Sequence, residues 1–384
     1  MSRADLILSA SVVVIPLFWW IISWCSVRLF LHTVPESPTH VPPESLSLFK
    51  PLPPLRNPEE RQRYAESIAS FASQLRGRDE VLILGEKRDE EFWKEQAAGW
   101  RGDVPGLEVK VLVPCAEKAP QHTNPKIKGM AVLAQQATRD LWWWSDADIT
   151  VPQGEVERIR AEFTSSAPAL QTQAYVIPVI SRPEDWLDAM FVHIELLPGL
   201  TFLSRKKKVN FACGGSLLFH RRTFEERVEW EELGSQLADD NYLGRKLQPV
   251  RLGRSLMQTR SGEEGLVESW LHYFRWQKTV RWCEPAGFAG LFFLQPSWLA
   301  LGACCISLSI STAAVVWVLL LLLEAAWVSL IFRRLGIRGA SAVFWVTPIW
   351  SVVRSATWLL CWFPLAVHWS GIKWWKSKAA SVNS

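Results

Sequence analysis

Two aspartates stand where a short apolar run ends. Asp146 and Asp148 follow Leu141–Trp144 and are separated by a single alanine. In a turn, two such side chains can face one small space, and their hard oxygen atoms suit Mg²⁺ or Mn²⁺, which commonly completes its coordination with substrate phosphates. The competing interpretation is a polar turn in which an aspartate caps the helix that follows Pro152. The pair by itself does not decide between these two structures.

A second acidic pair, Asp239 and Asp240, opens the otherwise helical stretch Leu237–Leu243. A general base needs a carboxylate within hydrogen-bonding reach of an acceptor hydroxyl, and a neighbouring carboxylate or cation can adjust its pKa. The alternative is again an N-terminal helix cap. This pair is therefore a candidate for proton abstraction.

Basic and aromatic side chains come together in the segment that ends at Arg275 and Trp276 and begins at His272. An arginine can hold a diphosphate with two parallel hydrogen bonds, and a tryptophan offers a flat face to a sugar or an acceptor. The alternative is a set of side chains that lie at a membrane surface beside anionic lipid. Adjacent glycines in Asn210–Leu218 allow either a close approach to a ligand or a tight turn.

Alternating strands and helices must position these side chains. The sequence predicts strands over Ser45–Phe49, Glu80–Gly85, Leu107–Val113 and Leu141–Trp144, and helices over Arg56–Leu75, Glu90–Trp100 and Ile127–Asp140. This alternation predicts an α/β fold with a mostly parallel sheet and helices on both faces.

In such sheets a ligand lies beyond the carboxyl ends of the strands. The residues at those ends are Lys50, Glu86–Asp89 and Asp146–Asp148. A Rossmann dinucleotide site would need a glycine-rich turn after the first strand, and this chain has Lys50–Pro54, with three prolines, at that point. Dinucleotide binding is therefore disfavoured.

The composition of the 384 residues indicates a membrane protein. Apolar residues make up 49% of the chain, with 23 Trp, and the acidic residues are concentrated between two apolar ends. The net charge of +4 is small and dispersed, and helix-turn-helix and zinc-finger spacings are missing, so a nucleic-acid partner is excluded. The seven Cys share no spacing typical of disulfides or of zinc, which favours a reducing compartment.

Several apolar stretches are long enough to cross a bilayer as helices. Leu6–Val27 fits an anchor better than a cleaved signal peptide, because bulky Trp residues occupy the place of a cleavage site. Gly287–Phe332 allows one or two crossings, with a break near Ser307–Thr312, and Ala340–Trp369 allows another. The sequence thus predicts three or four crossings, and Trp and Lys residues near the end, including Trp374, resemble an interfacial belt.

Four parts of the chain follow from this reading. They are an N-terminal anchor over residues 1–32, a Pro-rich tether over 33–44, a cytosolic domain over 45–285, and a C-terminal membrane region with an interfacial tail over 286–384. The expected protein is multi-pass, with its catalytic domain facing the cytoplasm.

Taken in order, the motifs resemble those of the ceramide glucosyltransferase family and of its bacterial relatives, the hopanoid-biosynthesis glycosyltransferases. The resemblance covers nearly the whole chain. The matching segments are Leu48–Leu52, Arg88–Asp89, Asn124–Lys126, Ser145–Asp148, Ala238–Asp240 and Arg275–Trp276. The family signature has Gln or Arg three residues before its Arg-Trp pair, and this chain has His272 there.

The resemblance implies a GT-A fold and inverting transfer of a hexose or N-acetylhexosamine from a UDP-sugar to the hydroxyl of a membrane lipid. It implies that Asp240, beside Asp239, removes the acceptor proton. Ribose, diphosphate and Mg²⁺ or Mn²⁺ would be bound by Asp146 and Asp148. The other cofactor-binding positions that it implies are Lys50, Asp89, Lys126, His272, Arg275 and Trp276, and Glu86 can be aligned in place of Asp89.

Two other functions remain open from the sequence. A processive polysaccharide synthase shares acidic motifs and an Arg-Trp signature, although three or four crossings are few for threading a polymer. A membrane scaffold could keep the fold without activity, and the presence of Asp148 and Asp240 disfavours it. The sequence does not identify the lipid, which could be a ceramide, a hopanoid alcohol or a diacylglycerol-like lipid.

Overall fold

The protein is described by a computed structural model that covers residues 3–32, 44–113, 124–207, 209–261, 265–306 and 310–375. It divides into two compact units. The sheet unit comprises Thr33–Val176 and Lys206–Thr259. The helical unit comprises Met1–His32, Ile177–Arg205 and Arg260–Ser377.

The strands are named in chain order. They are β1 Leu46–Pro51, β2 Glu80–Leu84, β3 Glu108–Leu112, β4 Leu141–Ser145, β5 Leu170–Val176, β6 Ser216–His220, β7 Val250–Gln258, β8 Val367–Trp369 and β9 Ile372–Trp374.

The α-helices are named in the same way. They are α1 Arg3–His32, α2 Pro58–Ala72, α3 Glu90–Asp103, α4 Pro125–Ala134, α5 Glu155–Ser166, α6 Asp185–Met190, α7 Leu197–Arg205, α8 Arg221–Arg227, α9 Trp230–Gly234, α10 Asp239–Lys246, α11 Leu266–Cys283, α12 Pro285–Gly290, α13 Pro296–Ile306, α14 Ile310–Leu335 and α15 Val343–Leu360. A π-helical turn, Phe191–Leu196, joins α6 to α7.

Seven strands form the central sheet in the order β3-β2-β1-β4-β6-β5-β7. The pairs β3–β2, β2–β1, β1–β4 and β5–β7 are parallel, whereas β6 runs antiparallel to both β4 and β5. The predicted mostly parallel sheet is therefore confirmed, with one reversed strand that makes it mixed.

The strand β4 shows why the sheet is covered on both faces. Successive side chains of a strand point to opposite faces. Trp143 accordingly belongs to the core that includes Phe71 of α2, while Trp142 and Trp144 belong to the core that includes Phe224 of α8. All three tryptophans are buried. The run of aromatic residues therefore anchors the strand from both sides, and the prediction of helices on both faces is confirmed.

Within the described part of the chain, four helical segments are long and apolar enough to cross a membrane by length and composition. They are Val13–His32, Asp185–Arg205, Ala313–Leu335 and Ala340–Leu360. Three of them overlap the stretches expected from the sequence, and Asp185–Arg205 is additional. The predicted break near Ser307–Thr312 lies partly outside the described residues.

Two boundaries differ from the sequence-based division of the chain. The segments Ile177–Arg205 and the first part of Arg260–Ser377 fall inside the expected domain 45–285, yet they group with the apolar helices. At the other end, α15 stops at Leu360, and the hairpin of β8 and β9 follows it within the expected C-terminal membrane region.

Candidate functional site

The sheet brings several predicted residues to one edge. Since β1, β2 and β4 are parallel neighbours, their carboxyl ends lie at the same edge of the sheet. Lys50 lies near the end of β1, Asp89 lies five residues beyond β2, and Asp146 directly follows β4.

The acidic turn after β4 is held by its own backbone and by the strands beside it. The Asp146 N–H donates to the carbonyl of Gly215 at 3.1 Å, and the Ile149 N–H donates to the carbonyl of Asp146 at 3.2 Å. The hydroxyl of Thr259 donates to Oδ2 of Asp148 at 2.7 Å. The next helix, α5, begins at Glu155 with Gly154 at its N-cap, so neither aspartate caps it.

The Lys50 ammonium holds this turn in place through hydrogen bonds. The side chain is fully buried and lies 4.1 Å from the centre of the Phe71 ring. Its Nζ donates to the Ser145 hydroxyl at 2.9 Å and to the carbonyls of Asp146 at 2.9 Å and Ile149 at 3.0 Å. All three ammonium hydrogens are thus matched by protein oxygens. Burial lowers the pKa of Lys50 to about 7, although the charges of Asp148 and Asp146 oppose that shift.

A second lysine joins the two acidic pairs. Asn124 caps α4 by accepting hydrogen bonds from the N–H groups of Lys126 and Ile127, at 2.9 and 3.3 Å, while Pro125 takes the first helical position. The helix thereby presents Nζ of Lys126 at 2.7 Å from Oδ1 of Asp146 and at 3.4 Å from Oδ2 of Asp239. The Asn-Pro-Lys motif is therefore a helix start that delivers a cation to the acidic residues.

The general-base candidate is positioned by a helix start and a glycine turn. Asp240 lies in the first turn of α10, where Oδ1 accepts the N–H of Asn241 at 2.8 Å. Its Oδ2 accepts the N–H of Gly214 at 3.1 Å. A Cβ at Gly214 would stand 3.2 Å from that oxygen and 3.4 Å from Nζ of Lys126. The glycine pair predicted as a turn or a close approach is therefore a turn that packs against Asp240.

The electrostatics of the site follow from burying several charges together. Burial, together with the charge of Asp239, raises the pKa of Asp240 to about 6. Burial and the charge of Asp146 likewise raise the pKa of Asp148 above its usual value. Burial alone would lower the pKa of Lys126, but the charges of Asp146 and Asp239 outweigh burial and raise it. The lysine therefore stays cationic among the carboxylates.

The two candidates for the first signature aspartate differ in their surroundings. Asp89 is 2% exposed and lies 3.2 Å from a guanidinium nitrogen of Arg61, yet neither of its buried carboxylate oxygens makes a hydrogen bond to a described residue. Glu86 is 41% exposed in its side chain and pairs with Nε of Arg88 at 2.7 Å. Buried oxygens that lack a donor are the more suitable for a nucleoside.

Sequence reasoning missed two side chains at this site. Thr259, the partner of Asp148, follows β7 and carries no sequence signal beyond its place after a strand. Tyr175 on β5 is the second, and burial raises its pKa well above the usual value, with further contributions from charged Asp146, Asp148 and Asp240. The antiparallel β6 and the strand order bring these distant positions together, and neither could be read from periodicity.

The basic and aromatic segment lies on α11 in the helical unit. His272 makes a 3.1 Å contact from Nδ1 to Oδ1 of Asp188, and its ring centre lies 4.1 Å from that of Trp276. Trp276 stacks on Phe191 at 4.6 Å. The guanidinium of Arg275 lies over the ring of Trp369 at 5.8 Å. The three residues are thus ordered by neighbours within their own unit.

The acidic turn fits a cation that takes few protein ligands. Within the described residues, no cluster of three or more His, Cys, Asp or Glu side chains is arranged to hold a metal ion. Asp146 and Asp148 still supply hard oxygen atoms, and the carboxylate of Asp148 interacts unfavourably with the charge of Asp146. A divalent cation would relieve that repulsion, and Mg²⁺ is commonly bound by one or two carboxylates plus substrate phosphates.

Comparison with known proteins defines the class as a glycosyltransferase. The chain belongs to glycosyl transferase family 21, whose family model matches residues 10–378. This covers all the motifs described above and confirms the family predicted from them. The comparison with curated proteins found no match.

Among solved structures, the chain is similar to the mannosyltransferase PcManGT from Pyrobaculum calidifontis in complex with GDP-Man and Mn²⁺. The identity is 14% over 93% of this chain and 96% of that chain, with a TM-score of 0.48. It is also similar to S. aureus TarS 1-349 in complex with UDP-GlcNAc, with 10% identity over 86% of this chain and 95% of that chain and a TM-score of 0.37.

Proposed function

We propose that the protein is an inverting, membrane-bound glycosyltransferase that moves a hexose or N-acetylhexosamine from a UDP-sugar to the hydroxyl of a membrane lipid of the ceramide or hopanoid type. The observation that carries this proposal is the acidic cluster of the sheet unit, in which Lys126 bridges Asp146 and Asp239 beside Asp240. Membership of family 21 supports sugar transfer, and the apolar helices support a lipid acceptor.

Asp240 is proposed as the general base. With a pKa raised to about 6, the carboxylate is still mostly ionised at neutral pH, and it is a better proton acceptor than an ordinary aspartate. In one displacement the acceptor oxygen bonds to the anomeric carbon, the bond from that carbon to the diphosphate breaks, and the acceptor proton passes to Asp240. A single in-line displacement inverts the anomeric configuration.

The other side chains are proposed to bind and orient the donor. Asp146 and Asp148 would hold Mg²⁺ or Mn²⁺, which when bound neutralises charge on the departing diphosphate. Asp89 would accept hydrogen bonds from the nucleoside, because its buried oxygens have no hydrogen-bond donor among the described residues. Lys50 is proposed to act through the turn that it fastens, since its ammonium already donates to three protein oxygens.

The segment on α11 is proposed to bind substrate. Arg275 and Trp276 would contact the diphosphate and the acceptor, as the resemblance to the family implies, and His272 would replace the usual Gln or Arg. We further propose that the sheet unit faces the cytoplasm, where a soluble UDP-sugar is available to the enzyme.

The variant Asp240→Asn tests the assigned base. We expect turnover to fall about 100- to 10,000-fold, because an amide cannot take the acceptor proton. Binding of the UDP-sugar, measured by calorimetry, should change little. Asp103→Asn is the matched control, because Asp103 is an exposed aspartate at the end of α3. Unchanged turnover of Asp240→Asn would reject this residue as the base.

The products distinguish the proposed function from polymer synthesis. The purified enzyme is incubated with labelled UDP-sugars and with vesicles that contain ceramide, a hopanoid alcohol or neither, and the lipids are separated and analysed by mass spectrometry. One monoglycosylated lipid is the expected product. A ladder of chain lengths would instead establish a processive synthase, and the absence of any transfer by a folded, donor-binding protein would support a scaffold.

A further inference from the structure

The residue that departs from the family signature has a buried carboxylate beside it. His272 of α11 and Asp188 of α6 are 84 residues apart in sequence, and Nδ1 of the imidazole lies 3.1 Å from Oδ1 of Asp188. The aspartate is 2% exposed. Its second oxygen accepts a hydrogen bond from the Ser261 hydroxyl at 2.8 Å. Both oxygens of this carboxylate are therefore engaged, one by the imidazole and one by the serine.

This arrangement decides which nitrogen of the ring carries the proton. An ionised carboxylate can only accept hydrogen bonds, so Nδ1 of His272 must donate to Asp188. The proton of a neutral ring then lies on Nδ1, and Nε2 is left as the other functional atom. Among the described residues none hydrogen-bonds to Nε2, while the side chain is 18% exposed. Nε2 is thus the atom through which this histidine can meet a substrate.

Aromatic packing fixes the plane of the same ring. His272 and Trp276 are one helical turn apart on α11, and their ring centres are separated by 4.1 Å. Trp276 in turn stacks on Phe191, with 4.6 Å between ring centres. A side chain held by a carboxylate at one nitrogen and by a ring at its face loses little further freedom when it binds a ligand.

On the basis of the function proposed above, we propose that Asp188, supported by Ser261, is a positioning residue that fixes the tautomer and orientation of His272. His272 then presents Nε2 to an oxygen of the substrates, where other members of the family use Gln or Arg. A glutamine needs no such partner, because its amide offers a donor and an acceptor without any choice of tautomer.

A double-mutant cycle tests this coupling. Asp188→Asn, His272→Gln and the double variant are compared for kcat and for the KM of donor and of acceptor. Asp188→Asn alone should lower kcat/KM at least about 10-fold, because an amide can stabilise the wrong tautomer. In the His272→Gln background, the same change should have little further effect. Equal losses in both backgrounds would show that Asp188 acts only on the fold, and would overturn the proposed positioning role. The substrate whose KM responds identifies the oxygen that Nε2 meets.

A neighbouring aspartate supplies the control. Asp185 is also buried on α6, and it accepts hydrogen bonds from the N–H groups of Ser181 and Arg182, both at 2.9 Å. Asp185→Asn should lower the melting temperature, and any loss of activity should be the same with His272 or Gln at position 272. Coupling of Asp185 to position 272 as strong as that of Asp188 would contradict a specific role for Asp188.

A measurement that does not depend on turnover separates this inference from the proposed function. In protein labelled with ¹⁵N-histidine, the His272 signals are assigned by their loss in His272→Gln. The ring should be protonated at Nδ1 in the native protein and should exchange between tautomers in Asp188→Asn. A mixture of tautomers already present in the native protein would overturn the inference. Failure of sugar transfer to any lipid, with a fixed tautomer, would instead reject the proposed function alone.

Discussion

At the scale of single residues, the role of Asp240 as general base predicts how kcat/KM depends on pH. Burial and the charge of Asp239 raise its pKa to about 6, and a general base works only when it is deprotonated. The kcat/KM value should therefore be full above this pH and should decline as the pH falls through about 6. The measurement is the pH profile of kcat/KM at saturating divalent cation.

The variant Asp239→Asn tests whether Asp240 causes the decline of kcat/KM at low pH, which is the acidic limb of the profile. Removing the neighbouring negative charge should move the limb to lower pH, because the charge of Asp239 raises the pKa of Asp240. Turnover at pH 8 should remain measurable. The exposed Asp103→Asn variant should leave the limb in place. A limb that is unmoved in Asp239→Asn would show that another group controls the acidic side of the profile.

At the scale of elements, the turn between Phe211 and Ser216 constrains the position of Asp240. A methyl group at Gly214 would meet Oδ2 and Cβ of Asp240 at 3.2 and 3.4 Å, so the carboxylate must move by a few tenths of an ångström. A small displacement of the general base lowers the catalytic rate more than it lowers the stability of the fold. Gly214→Ala should therefore lower kcat by about 10- to 100-fold with little change in melting temperature.

Gly99→Ala provides a matched control for that substitution. Gly99 is exposed on α3, and a methyl group there would meet no heavy atom within 4 Å. Alanine is favoured over glycine inside a helix by about 1 kcal/mol, so this variant should be as active as the native enzyme and slightly more stable. Full activity of Gly214→Ala would mean that the turn does not constrain the base.

The same elements show what sequence patterns can and cannot predict. Apolar runs bounded by polar residues predicted β2 and β4, and the position after β4 singled out Asp146 and Asp148 as members of a site. The partner of Asp148, Thr259, follows the last strand, and it reaches the turn only because Thr150 and Gln258 pair as an isolated bridge. Pairing between distant strands has no local signal, so this contact could not be predicted.

The start of α4 could be predicted only in part from the sequence. Asn124 followed by a proline is a pattern typical of a helix N-cap. The contact between Lys126 and Asp146, however, depends on how α4 packs against the sheet, and the sequence pattern does not show that packing. The Asp188–His272 contact joins two helices far apart in sequence. In the sequence, only His272 attracted attention, because it departs from the family signature, and Asp188 was not predicted.

At the scale of the whole molecule, strand pairing limits the number of membrane crossings. Asp185–Arg205 has the length and composition of a span, but it lies between β5 and β6, which pair in one sheet. A single crossing would put these two strands on opposite sides of the bilayer. We therefore expect this segment to enter and leave the bilayer from one side. Arg338, between α14 and α15, exchanges backbone hydrogen bonds with Pro178 and Ile180 beside this segment, so we expect that loop to lie on the same side, with α14 crossing the bilayer to reach it.

Cysteine labelling in sealed vesicles measures this topology. Single cysteines are placed in a cysteine-free background at Ser181 and Lys206, which are exposed and flank the segment, and are treated with a membrane-impermeant maleimide. Both should react from the same side as a cysteine at Asp103 in the sheet unit. Cysteines at Ile310 and Arg333, near the two ends of α14, should react from opposite sides. Reaction of positions 181 and 206 from opposite sides would contradict the strand pairing on which this topology rests, because an open sheet cannot lie across the hydrocarbon core of a bilayer.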